Sequence, residues 1–300
     1  MRRILVLRGG ALGDFIVTLP ALELLRKRWP RARIELVGNA TAAHLAVARG
    51  ILDAAHSQHE ARWSRLFAPL ETPLATDFAA WLAHFDLVVS YWPDPEGDLA
   101  RRFPITSQQT FISAPALPTV APAAAHYGAA LRGLGLDELE RTFTLIAPLS
   151  ASALKPRNEQ PISIHPGSGS LHKNWPQAKW RELLGHLPGP VQVIVGEAEM
   201  ERCPTTESAW PNARVLLKPS LEELVTALAS SRLFLGHDSG VSHLAAACGV
   251  PCVLLFGPTD PAVWAPPEPG VRVVAAGAAL ADLCVADVAR ATTTVLAALN

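Results

Sequence analysis

The chain has 300 residues, is 49% hydrophobic and carries a formal net charge of −1, so it can bury one large core or two medium ones, and two domains of about 150 residues are expected. Near-neutral charge gives no global signature of a nucleic-acid partner. Met1-Arg-Arg-Ile-Leu-Val-Leu-Arg8 breaks its apolar run too soon for a signal peptide, and no later stretch reaches the roughly 18 apolar residues of a membrane span, so a cytosolic protein is expected. Cys203, Cys248, Cys252 and Cys284 form no C-x-x-C pair and fit buried or incidental thiols in a reducing compartment.

Arg3–Arg8 reads as a nearly all-apolar strand. Gly9-Gly10-Ala11-Leu12-Gly13-Asp14 follows as a Gly-rich turn, and Leu19, Leu22, Leu24 and Leu25 then take helical spacing. Pro20 inside that spacing predicts a kink, or a helix restarting after Thr18. Arg31–Val37 is the next strand and Asn39–Arg49 the next helix. Phe85–Ser90 is a later strand whose end carries Tyr91-Trp-Pro-Asp-Pro95, a loop placed to cover a cleft. Residues 53–83 and 104–122 read as irregular, and Ala123–Leu134 as a helix stopped at Gly133 or Gly135.

The Gly9–Gly13 turn is not a dinucleotide fingerprint. The first glycine of G-x-G-x-x-G would fall at Arg8, and Val37-Gly38-Asn39 offers no acidic residue for a ribose. Gly10 and Gly13 instead let another molecule approach the backbone beside Asp14, which reads equally as a helix cap or as a proton acceptor. Arg62 and Arg65 are candidates for an anionic acceptor, although exposed arginines on a polar helix are the commoner case.

From Ala147 to Pro161 periodicity is lost and Ser, Ala and Pro collect, as in an interdomain connection. Alternation of strand and helix then restarts. Ile162–His165 is a strand, followed by His165-Pro-Gly-Ser-Gly-Ser-Leu-His-Lys-Asn-Trp-Pro176 and a helix to about His186. In that loop the glycines free the backbone, Ser168 offers a hydroxyl, and Lys173 is one of five lysines in an Arg-dominated chain, so anion binding is expected. Val191–Val195 is a strand ending in Gly196-Glu-Ala-Glu199, where Glu199 reads equally as a ribose-binding carboxylate or as part of a charged first helical turn. Ser220-x-x-Glu223 is a capping box opening a helix from Leu221 to Ser230.

Leu233–Leu235 leads into the most informative stretch. Its strand stops at His237-Asp238-Ser239-Gly240, a helix runs from about Val241 to Cys248, and Gly249 and Pro251 terminate it. The N–H groups of Ser239, Gly240 and Val241 at a helix start favour phosphate, and His243 lies one turn on. The next strand, Cys252–Phe256, is apolar throughout and ends in Gly257-Pro-Thr-Asp-Pro261. Leu283–Leu299 closes the chain as a helix. His237 and His243 lack the i, i+4 spacing of a helical zinc site, and no D-x-D element holds a metal–pyrophosphate, so no metal is expected.

D-S-G-x-S-H-x-A-A-x-x-G-x-P from Asp238, F-G-P-T-D-P-x-x-W from Phe256, Lys173-Asn-Trp-Pro176 and R-G-G-A-L-G-D from Arg8 together resemble the ADP-heptose:lipopolysaccharide heptosyltransferases. The resemblance covers residues 1–40 and 160–265 well and 50–150 hardly at all. It implies a GT-B α/β architecture, two Rossmann-like doubly wound domains facing across a cleft, with an acceptor domain over residues 1–150 and a nucleotide-sugar domain over 151–300 whose last helix returns to the first. It implies that Asp14 is the catalytic base, that Lys173 contacts the donor phosphates, and that Ser168, Glu199, Asp238, Ser239, Gly240 and His243 complete the donor site. The implied reaction is inverting transfer of heptose from ADP-heptose to a lipopolysaccharide core, by a monomer without cofactor or metal, cytoplasmic or peripheral on the inner membrane, with an anionic glycolipid acceptor. Transfer of another nucleotide sugar to another glycan, a GT-B sugar-nucleotide epimerase and a non-catalytic sugar-nucleotide binder are the competing readings.

Overall fold

The structure is a computed structural model that describes every residue except 104, 137–144, 146–155, 201–208, 276, 278 and 300. Contacts divide the chain into two units, Met1–Arg141 and Thr142–Asn300, where the sequence places the boundary after residue 150. Cys203 and most of the expected connection at 147–161 lie outside the described residues.

In the first unit β1 (Arg3–Arg8) is followed by α1 (Leu12–Ile16), α2 (Leu19–Arg28), β2 (Arg33–Gly38), α3 (Ala40–Ala48), β3 (Ala54–Ser57), α4 (Thr76–Ala83), β4 (Leu87–Ser90), α5 (Asp98–Arg102), β5 (Thr110–Ser113) and α6 (Ala123–Ala129). The strands form one parallel sheet in the order β3-β2-β1-β4-β5. Thr18 is the N-cap of α2 and Pro20 sits in its first turn, so the helix restarts there because proline needs no intrahelical N–H partner at that place. The segment read as irregular contains β3, α4 and a 3-10 turn at Ala61–Phe67, and β5 lies in the second such segment. Both overlooked strands are sheet edges: β3 is half-buried throughout and β5 is exposed at both ends, whereas β4 is fully buried. An edge strand carries polar residues outward and loses the continuous apolar run that marks a central parallel strand.

In the second unit β6 (Ile162–His165), α7 (Gln177–Leu184), β7 (Val191–Val195), β8 (Ala213–Leu217), α8 (Leu221–Ala229), β9 (Leu233–His237), α9 (Gly240–Ala247), β10 (Cys252–Phe256), α10 (Pro261–Trp264), β11 (Val271–Ala275) and α11 (Val285–Ala298) follow in order. They build a parallel sheet ordered β11-β10-β9-β6-β7-β8. The central strands β6, β7, β9 and β10 are wholly buried, while the edges β8 and β11, not anticipated from the sequence, are half-exposed. Trp175, Trp180 and Trp210 anchor the core of this unit. Both hydrogen bonds of the Ser220–Glu223 capping box are present, and Gly249 adopts φ +74° as a helix-ending glycine. The closing helix α11 packs on α7, β10 and β11 of its own unit.

One buried carboxylate ties three strands of the first sheet to their surroundings. Glu35, in the middle of β2, accepts from Arg33 Nε at 2.7 Å and Arg3 Nη2 at 3.0 Å, and its other oxygen lies 2.8 Å from His56 Nε2 on β3. Burial by itself would raise its pKa, but the hydrogen bonds from His56, Arg33 and Arg3 outweigh that and lower it to about 2. A folded-state pKa below the unfolded value contributes stability that is present above the ordinary carboxylate range and lost as pH falls toward about 2. Glu35→Gln is therefore expected to cost roughly 1–3 kcal/mol at neutral pH, and the gap between the two proteins should shrink as pH falls. Urea unfolding at a series of acid pH values checks this, and a gap independent of pH would contradict it.

Candidate functional site

In the second unit the chain moves from β6 to β7 and β8 on one side of the sheet, then returns to β9 on the other. The C-terminal ends of β6 and β9 therefore flank the topological switch point, where open α/β sheets bind ligands. The loops that leave these two strands are residues 166–176 and 238–239, and they are bonded to one another.

His237, the last residue of β9, is fully buried and packs edge-to-face on Trp180, with ring centroids 5.3 Å apart. Burial, the dominant influence, pushes its pKa down to about 3, so the ring is neutral. Its Nε2 accepts the Trp175 N–H at 2.8 Å, which places the ring proton on Nδ1, facing the Gly167 carbonyl at 3.3 Å. Two points of the β6 loop thus hang on one imidazole. The adjacent Asp238 receives Lys173 Nζ at 2.6 Å, so cation and carboxylate face each other over the switch point. Ser239, not Asp238, caps α9: its Oγ accepts from Ser242 N–H, and Ser242 Oγ donates to the His237 carbonyl. Gly240 opens the helix, and His243 is buried on it with its backbone N–H bonded to Ser239 O at 3.2 Å.

Ser168 is buried and spends its hydroxyl inside the turn, with Oγ 2.7 Å from Asn174 Oδ1 and accepting from Ser170 N–H. Glu199, in a 3-10 turn after β7, is buried rather than displayed on a solvated turn. Its stem lies against Gly167, where a Cβ would fall 2.0 Å from Glu199 Cγ, and its Oε2 lies 3.6 Å from His165 Nε2. The interaction with His165, foremost, keeps its pKa below the ordinary range, so the carboxylate is ionised. Ser168, Lys173, Glu199, Asp238, Ser239 and Gly240 accordingly come together at one end of one sheet.

The first unit holds a second arrangement at the equivalent place, between the ends of β1 and β4. Asp14 Oδ2 accepts the Ala11 N–H at 2.9 Å and Oδ1 accepts from Arg8 Nη2 at 3.0 Å, so it caps α1 and also belongs to a polar cluster. Arg8 is buried, donates to Thr18 Oγ1 and to Tyr127 OH at 3.0 and 2.8 Å, and lies 4.5 Å from the Tyr127 ring centroid. Gly10 has φ +109°, and a Cβ there would fall 2.5 Å from Asp14 Cγ, so only glycine lets the turn fold back over the carboxylate. Gln58 clamps the same turn by accepting from Gly10 N–H and donating to Gly10 O. Gly13 is inside α1, its carbonyl accepting from Val17.

Arg62 and Arg65 lie elsewhere in this unit, on the 3-10 turn. Arg62 stacks over Trp63 and Trp81 at 4.3 and 5.1 Å and pairs with Glu60, which leaves Arg65 as the exposed cation of the two. Sequence reading missed His165, Arg8, Gln58 and Tyr127 as parts of these sites. A charged Arg8 closing an apolar strand was a visible signal, whereas Tyr127 lies 119 residues from it and carries none. Among the described residues no group of His, Cys, Asp and Glu is arranged to hold a metal ion.

The architecture of two parallel sheets is shared with known proteins. The profile of glycosyltransferase family 9 (heptosyltransferase) matches residues 114–289. The chain belongs to that family. It is 38% identical over 104 residues to lipopolysaccharide heptosyltransferase 1 of Pseudomonas aeruginosa, covering 33% of this chain and 29% of that one, and 37% identical over 93 residues to the Escherichia coli K12 protein of the same name, covering 30% and 29%. The matches thus span under a third of these curated relatives. A family 9 glycosyl transferase from Veillonella parvula superposes with TM-score 0.79 at 21% identity over 99% of this chain and 97% of that one. E. coli heptosyltransferase WaaC with ADP does so with 0.75 at 20% identity, over 98% and 99%. At these identities the likeness is one of fold, and the family 9 protein has the GT-B fold of two Rossmann-like doubly wound sheets.

Proposed function

We propose that this family 9 protein is an inverting glycosyltransferase that moves heptose from ADP-heptose to a lipopolysaccharide core acceptor. The observation that carries the reading is the Lys173–Asp238 pair at the switch point of the second sheet, with the start of α9 on one side and the ionised Glu199 on the other. A diphosphate suits the ammonium and the N–H groups of Ser239 and Gly240. A ribose diol suits the carboxylate, which accepts hydrogen bonds from vicinal hydroxyls. Asp238 holds the Lys173 side chain in place until phosphate oxygens compete for it.

In the transfer step an acceptor hydroxyl oxygen bonds to the anomeric carbon as the bond from that carbon to the ADP oxygen breaks with inversion. Asp14 takes the hydroxyl proton, and Lys173 and the helix-start N–H groups stabilise the charge that develops on the leaving diphosphate. Each Asp14 oxygen already accepts one hydrogen bond and keeps a further lone pair for the incoming proton. Arg65 is the candidate contact for an anionic glycolipid acceptor. No helix among the described residues is long and apolar enough to cross a membrane, and the reading places a monomer in the cytoplasm, peripheral on the inner membrane where such an acceptor is presented.

ADP release from ADP-heptose in the presence of a lipopolysaccharide precursor tests the assignment, and turnover of a different nucleotide sugar with none of ADP-heptose would overturn it. Asp14→Asn is expected to keep donor affinity and lower turnover about a hundredfold or more, since it keeps size and capping but loses the proton acceptor; unchanged turnover would reduce Asp14 to a cap. Lys173→Ala should weaken ADP binding by about 1–3 kcal/mol, as measured by calorimetry. Transfer should also continue in excess EDTA, because Lys173 and backbone N–H groups suffice to hold the diphosphate in this mechanism. Activity abolished by chelation and restored by magnesium or manganese would refute that mechanism.

A further inference from the structure

We propose that His165 is a positioning residue that holds the Glu199 carboxylate to receive the vicinal hydroxyls of the donor's ribose. The inference rests on the donor reading of the second unit given above and adds to it a residue that neither spacing nor motif marks.

Two histidines end neighbouring strands at the switch point, His165 on β6 and His237 on β9, and the structure treats them differently. His237 has both ring nitrogens engaged. His165 is equally buried, at 2% exposure, yet neither of its ring nitrogens makes a hydrogen bond. A buried imidazole without a partner is costly, and native structures keep such groups where a function uses them. The carboxylate near it is that of Glu199, 3.6 Å from Nε2, a separation just beyond a hydrogen bond and of the kind that tightens when ligand arrives.

Glu199 itself is wedged between two backbone turns. A Cβ on Gly167 would meet its Cγ at 2.0 Å, and a Cβ on Gly196 would meet its Oε2 at 2.6 Å. Glycine at both places makes room for the carboxylate, and His165 faces the oxygen on its inner side. Among the described residues His237 also couples to His165, and because it is neutral the charged group facing His165 is the Glu199 carboxylate. One carboxylate oxygen engaged by the imidazole fixes the plane of the group, so that its remaining lone pairs meet a diol rather than turning into the core.

The test is calorimetric titration of ADP and of 2′,3′-dideoxy-ADP into the full chain and into Glu199→Gln, His165→Asn, His165→Gln and the His165→Asn/Glu199→Gln double variant. The unaltered protein should prefer ADP by roughly tenfold, one hydrogen-bonded diol's worth of affinity. Glu199→Gln and His165→Asn should each bring that preference close to one, and the double variant should lose nothing further, because the two residues act on one contact. His165→Gln, whose longer side chain can bring its amide N–H to the place of Nε2 where that of asparagine falls short, should restore part of the preference, and dideoxy-ADP should bind all variants alike. A His165→Asn protein that keeps the full preference, or that loses affinity for both nucleotides equally, overturns the proposal. So do two His165 variants that fail to fold while Glu199→Gln folds, since His165 is then a core residue. A chain that binds no ADP at all instead defeats the donor reading on which the proposal rests.

Discussion

The neutral imidazole of His237 is the interaction on which the second unit's site depends. It ends a central strand, so the sheet fixes its position, and it bonds backbone groups on either side of the loop that leaves the neighbouring strand. A charged ring would donate from both nitrogens and repel the Trp175 N–H. Burial against Trp180 removes that state near neutral pH, so the fold's hydrophobic core decides a protonation state, and the protonation state in turn decides the shape of the loop that carries Lys173.

The first unit solves the same problem with charge instead of neutrality. Arg8 leaves its central strand buried, and Asp14 of α1, Thr18 at the cap of α2 and Tyr127 of α6 satisfy it. A buried guanidinium without such partners would be strongly destabilising, so the cluster is held together by the cost of breaking it. Asp14 is thereby oriented from two sides, while the glycine turn in front of it leaves the backbone approachable. In both units a polar side chain at the end of a central strand organises a loop at the switch point, the loop that follows the strand in the first unit and the loop of the neighbouring strand in the second.

Most of the central architecture was legible from the chain. β1, β7, β9 and β10 are largely apolar runs followed at once by Gly or Asp, and the capping box, the Gly249 stop and the break at Thr18 follow from local rules that need no tertiary partner. The edges were not legible. Ala54–Ser57, Thr110–Ser113, Ala213–Leu217 and Val271–Ala275 are short and half-exposed, and they are strands because a neighbour already in the sheet offers them hydrogen-bonding partners. No periodicity inside such a segment encodes that.

The sequence by itself determined the alternation of strands and helices, the glycine and proline punctuation, and the motifs that place the chain in its family, because each rests on contacts between residues near in number. Only the tertiary structure decided which side chains share a site and in what state. The Lys173–Asp238 pair joins residues 65 apart, the Arg8–Tyr127 bond joins residues 119 apart, and the burial that makes His237 neutral and leaves His165 facing Glu199 exists only once the sheet is packed. Ser168 shows the difference in miniature: its hydroxyl reads as a ligand in the sequence, and folding turns it inward to hold its own loop. Hydrogen bonds and ionisation answer to distance and dielectric, which the order of residues does not contain until the chain has closed around them.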